Sequence, residues 1–153
     1  MPRNLATLCL ISLLLAPAAA RAQDGAGDAQ CPQLPADAGL AWEARKAGDG
    51  DFCRALRADG SEAFGVYITP GRSFKPARRN RAERGYGIDG QEVIWYRAEI
   101  AIAPGVQARE TTVELADGRH AHIWLQAPSE AELGAALQLA GRIHFPGGLA
   151  RDD

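Results

Sequence analysis

The Asp-Gly dipeptides Asp59-Gly60, Asp89-Gly90 and Asp117-Gly118 each stand between segments of mixed apolar and polar residues. Asp-Gly is the turn chemistry of tight β-hairpins, because glycine adopts the positive φ that closes such a loop without steric cost. A chain punctuated in this way is directed towards antiparallel pairing. Leu40–Arg45 and Phe52–Arg57 flank a turn at 48–51, and Glu62–Thr69 is rich in β-forming residues. Glu92–Ile102 reads as a further strand, with Ile94, Tyr96, Ala98, Ile100 and Ile102 on one face. The sequences flanking the three turns do not match one another, so they predict a meander of hairpins and not an internal repeat.

The last of these turns also fixes a register between Arg109–Leu115 and Arg119–Ala127. A two-residue loop would set Val113 against His122 and Glu114 against Ala121, mixing charge and apolar surface on both faces. A three-residue loop, Ala116 to Gly118, sets Val113 against Ala121 and Thr111 against Ile123, which gives one apolar face. The opposite face then carries Glu110, Glu114, His120, His122 and Trp124. Ser129 follows as an N-cap with Glu132 completing a capping box, and Leu133, Ala136, Leu137 and Ala140 form one helical stripe before Gly141. The expected class is α+β: an antiparallel β-sheet of five to seven strands with a C-terminal α-helix packed on one face.

The N-terminus does not belong to that pattern. Arg3 precedes an apolar run from Leu5 to Ala16, and Ala20 and Ala22 place small side chains where a signal peptidase needs them, so 1–22 reads as a cleavable secretory signal peptide. The run is about a dozen residues where a bilayer core needs about 20, which disfavours a membrane anchor. Neither Cys9 nor Cys31 stands at the cleavage site, as a lipoprotein would require. Residues 23–30 read as a flexible leader, 31–145 as a single domain and 146–153 as a disordered tail. Export implies the periplasm or the extracellular medium, where Cys31 and Cys53 are expected to form a disulfide, two free thiols being the alternative.

Loss of Arg3 and Arg21 from 17 basic residues leaves 15 against 19 acidic ones, so the net charge moves from −2 to −4. An acidic body of this kind disfavours a general nucleic-acid binder. The segment 72–84 stands out against it. It holds Arg72, Lys75, Arg78, Arg79, Arg81 and Arg84 with a single acid, Glu83, and Phe74 and Tyr86 add aromatic surface beside the charge. Long loops in small domains frequently carry function. These six residues are the candidate binding set for an anionic envelope component or a protein partner, and a secreted inhibitor of another enzyme falls within the same class. The alternative is a solvated loop whose charge offsets the acidic remainder.

His120 and His122 point the same way from one strand, and Glu114 lies opposite His120 in the adopted register. Together they are a candidate metal set for zinc or copper; a solvated face with cross-strand hydrogen bonds is the alternative. Trp42, Trp95 and Trp124 offer either a ligand-stacking platform or ordinary packing. No nucleophile elbow, phosphate-binding glycine loop or zinc-protease helix is present, so the sequence favours binding over catalysis, with a spatially assembled carboxylate pair left open.

Overall fold

A computed structural model describes residues 29–98 and 104–151. The expected signal peptide, the leader up to residue 28, and Ile100 and Ile102 lie outside the described residues. Among the described residues the strands are β1 (Ala41–Ala47), β2 (Gly50–Leu56), β3 (Glu62–Thr69), β4 (Gly87–Ile88), β5 (Gln91–Glu92), β6 (Tyr96–Arg97), β7 (Gln107–Glu114) and β8 (His120–Ala127), followed by the helix α1 (Glu130–Gly141). Six of the strands form an antiparallel sheet in the order β1-β2-β3-β8-β7-β6, and β4 pairs with β5 in a separate hairpin. The order departs from a simple meander at one place, where β3 takes β8 as its neighbour and the intervening chain is sent round the far edge.

The Asp-Gly pairs at 59–60, 89–90 and 117–118 each make a turn. Asp89 and Gly90 both have positive φ, 49° and 79°, and close the two-residue loop between β4 and β5. Gly118, at φ 83°, closes the three-residue loop that the face argument requires. The β7–β8 register accordingly pairs Val113 with Ala121, Thr111 with Ile123, Thr112 with His122 and Glu114 with His120.

One face of the sheet carries the core. Phe64, Val66 and Ile68 of β3 and Ile123 and Leu125 of β8 are buried against Leu133, Leu137 and Ala140 of α1. Ser129 occupies the N-cap position in extended conformation, but its side chain makes no capping bond; Glu132 N–H bonds to the Ser129 carbonyl instead, so the expected capping box does not form. Gly141 is required by proximity, since a Cβ there would come within 2.6 Å of the Gly87 carbonyl oxygen of β4. Cys31 and Cys53 are joined in a disulfide, which fastens the segment ahead of β1 to the core side of β2.

Two further expectations are corrected. Glu92–Ile102 is not one strand: after β5 the chain leaves the ladder and rejoins the main sheet only at β6. The break places Trp95 in the core, completely buried, while its N–H and carbonyl pair with Glu83 and Ala82. Residues 146–151, expected to belong to a disordered tail, are also docked. Leu149 bridges to Leu115, Ala150 N–H bonds to the Glu114 carbonyl, and Phe145 and Leu149 are buried. Burying a side chain of that size is worth about 2 kcal/mol, enough to oppose the entropy of a free end.

Candidate functional site

The arginine segment begins just after β3 and runs to β4. All six of its basic residues, Arg72, Lys75, Arg78, Arg79, Arg81 and Arg84, are exposed. The segment is nevertheless tied down. Phe74 stacks on His122 with ring centroids 4.5 Å apart and planes 17° from parallel. A short 3-10 turn follows at Arg78–Asn80, and Arg81 then bridges to Tyr96. Ala82 N–H bonds to the Trp95 carbonyl at 2.9 Å, and Trp95 N–H bonds to the Glu83 carbonyl at 3.2 Å.

Glu83, the one acid of the segment, is held by Arg109 of β7 through two bonds of 2.6 and 2.8 Å. Its charge is thus matched by an arginine from outside the segment. Arg72, Lys75, Arg78, Arg81 and Arg84 form no ion pair among the described residues. The fold has thus already met the ordering cost of these outward-facing cations, so an anion docking there would not have to supply it. Arg72 also borders an opening of about 450 Å³ beside the break between β5 and β6, with Glu92, Tyr96 and Glu114 on its walls.

The sheet face away from α1 carries a row of rings that meets this loop. Arg45 lies over Phe52 at 4.5 Å, Phe52 is 5.5 Å from Trp124, Trp124 is 5.5 Å from His122, and His122 stacks under Phe74. Tyr67 flanks Phe52 and donates to the Ala47 carbonyl. Gly65 makes the row possible. It sits beneath the Trp124 indole, where a Cβ would lie 2.0 Å from Cζ2. The register shift between Ala55 and Leu56 carries Glu62 round to this face, where it accepts from Trp124 Nε1 at 3.0 Å and from Arg54 at 2.7 Å.

His122 and Glu110 meet within the row at 3.1 Å, with side chains 20% and 14% exposed. Burial pushes the imidazole down to about 4, so it is neutral at neutral pH. They line a cavity of about 250 Å³ together with Trp124, Gln126, Ala98 and Ala108.

The metal set does not assemble. His120 and His122 share a face and Glu114 lies opposite His120, as expected, but His122 turns to its diagonal neighbour Glu110. Among the described residues the buried Nδ1 of His120 has no hydrogen-bond partner, and no group of three or more His, Cys, Asp or Glu is placed to hold a metal ion. Nor do the tryptophans form one platform. Trp95 is in the core, Trp42 packs edge-on against Phe64 and donates to the Pro32 carbonyl, and only Trp124 lies on the ring-bearing face.

The contributions of Phe52, Tyr67 and Arg45 escape a sequence reading. The signal that points to them is Gly65, since a glycine in mid-strand marks a close approach by another group. Comparison with protein-family models, with curated proteins and with solved structures found no match.

Proposed function

We propose that this chain is an exported binding protein that holds an anionic ligand against the arginine loop, with the adjoining ring-bearing face as a second contact. The observation that carries this reading is the anchored, outward-facing set of cations. Five basic side chains between residues 72 and 84 are exposed without an ion pair among the described residues, while the backbone beneath them is fixed through Phe74, Ala82 and Glu83. A loop that merely offset the acidic body would need no such fastening.

Export is supported by the N-terminal pattern of the sequence and by the Cys31–Cys53 disulfide, a bond at home in an oxidising compartment. Among the described residues no helix is long and apolar enough to cross a membrane.

The reading is tested by measuring binding to anionic phosphatidylglycerol vesicles, to neutral phosphatidylcholine vesicles and to a labelled polyphosphate, for the wild type and for Arg78→Ala/Arg79→Ala/Arg81→Ala. Binding to either anionic probe that is lost in the triple variant supports it, and the two probes distinguish a membrane headgroup from a soluble polyanion. Binding that survives the triple substitution removes the loop from the function.

A further inference from the structure

β1 is an edge of the sheet, and among the described residues no strand pairs with its outer side. Edge strands are ordinarily blunted by proline, a bulge or charges that project past the edge. β1 has neither proline nor a bulge in its pairing with β2 over all seven residues, Ala-Trp-Glu-Ala-Arg-Lys-Ala. Its charges also lie back on their own sheet. Arg45 covers Phe52, Glu43 is held by Arg54 at 2.9 Å, and Lys46 reaches Asp51 at 2.5 Å.

The hydrogen-bonding phase of the edge follows from the turn. A two-residue loop, Gly48-Asp49, makes Ala47 and Gly50 a hydrogen-bonded pair. Counting back by twos, Arg45 and Glu43 direct their backbone groups to β2, so Trp42, Ala44 and Lys46 direct theirs outward. A strand added antiparallel to this edge must bring its own outward residues opposite these three.

For two copies of β1, that condition leaves three registers with extensive overlap. One centres Glu43 on Glu43 and another centres Arg45 on Arg45, each bringing like charges together. The third centres Ala44 on Ala44. It sets Glu43 opposite Arg45 of the second copy, twice by symmetry, at the closely spaced positions between hydrogen-bonded pairs, and it sets Trp42 opposite Lys46.

We propose that two copies of this chain join edge to edge through β1 in the register centred on Ala44, making one continuous antiparallel sheet about a two-fold axis. Both ring-bearing faces then lie on the same side, and the Phe52–Arg45 stack of each copy abuts the Glu43–Arg54 pair of the other. α1 packs on β8, β3 and β4, so it does not lie over the joint. A single strand pair is small beside the roughly 1,200 Å² or more that stable interfaces bury, so the dimer is weak and forms with rising concentration.

Sedimentation velocity on the purified protein tests this over a concentration series reaching about 1 mM, where weak association is visible. The weight-average mass of the wild type is expected to climb towards twice the monomer. Glu43→Arg, which sets arginine against Arg45, stays monomeric, and Glu43→Arg/Arg45→Glu recovers the association because it exchanges the charges. Ala44→Pro abolishes it by removing an outward N–H that β2 does not use, with unchanged near-ultraviolet circular dichroism as the check on folding. A wild type that remains monomeric throughout, a Glu43→Arg protein that associates as the wild type does, or a double variant that fails to recover would each overturn the proposal.

Discussion

Glu83 grips Arg109 at two points, Nε to Oε2 at 2.6 Å and Nη2 to Oε1 at 2.8 Å, and Arg109 is only 6% exposed. The pair joins the end of the arginine loop to β7 and removes the loop's one negative charge from the surface that the cations share. Structure and proposed function meet in this contact: the same bond that fixes the backbone leaves Arg72, Lys75, Arg78, Arg81 and Arg84 without an ion pair among the described residues.

Replacing Glu83 by Ala leaves a buried guanidinium whose remaining contacts include the Ala108 carbonyl and the Gln107 side chain. Stranding one member of a buried pair costs about 3 kcal/mol or more. Guanidinium-chloride unfolding should show that loss, and amide exchange at Ala82 and Trp95 should quicken as the loop loosens. Unaltered exchange at those two amides would mean that the ion pair does not anchor the loop.

Gly65→Ala forces a methyl group into the Trp124 indole, whose Cζ2 and Cε2 atoms would be 2.0 and 2.2 Å away. The ring must lift from the sheet, at a cost of about 1–3 kcal/mol. Trp124 loses its bond to Glu62 in the process, so its fluorescence should shift to the red. Gly65→Ala/Trp124→Leu should regain much of the lost stability.

His122 gives the fold a pH dependence whose sign follows from burial. Its folded pKa, about 4, lies below the unfolded value of 6.5, so the unfolded chain takes up the proton first. Stability attributable to this group is complete above 6.5 and falls as the pH drops towards 4, by up to about 3 kcal/mol. His122→Phe keeps a ring beneath Phe74 and should flatten the slope in that window. Equal slopes for the two proteins would show that His122 is not held neutral by the fold.

Local chemistry made much of the sheet legible. Asp117-Gly118 and the alternation around it were enough to place Thr111 opposite Ile123, because a slip by one residue would have exposed Ala121, Ile123, Leu125 and Ala127 of β8. The break at Trp95 was hidden for the opposite reason. Alternation across 92–102 is sound, and what overrides it is a pairing with Ala82 and Glu83 together with burial of one large ring, neither of which leaves a mark on the segment itself. The docking of Leu149 on Leu115 was hidden in the same way, behind glycines that resemble a loose end. At the site, the density of arginine was visible in the sequence, but its fastening was not. Phe74 and His122 are far apart in the chain, and Glu83 would have read as a partner for its neighbours in the loop and not for Arg109.

The most direct measurement is the affinity for labelled polyphosphate as a function of salt concentration, for the wild type beside Arg78→Ala/Arg79→Ala/Arg81→Ala. Cations that release counterions on binding give a linear fall of log K with log salt, and each removed contact flattens that slope by about one unit. The account predicts a steep slope for the wild type, and for the triple variant weaker binding at low salt with a slope shallower by up to about three units. Equal affinity and equal slope for the two proteins, or wild-type binding indifferent to salt, would contradict it.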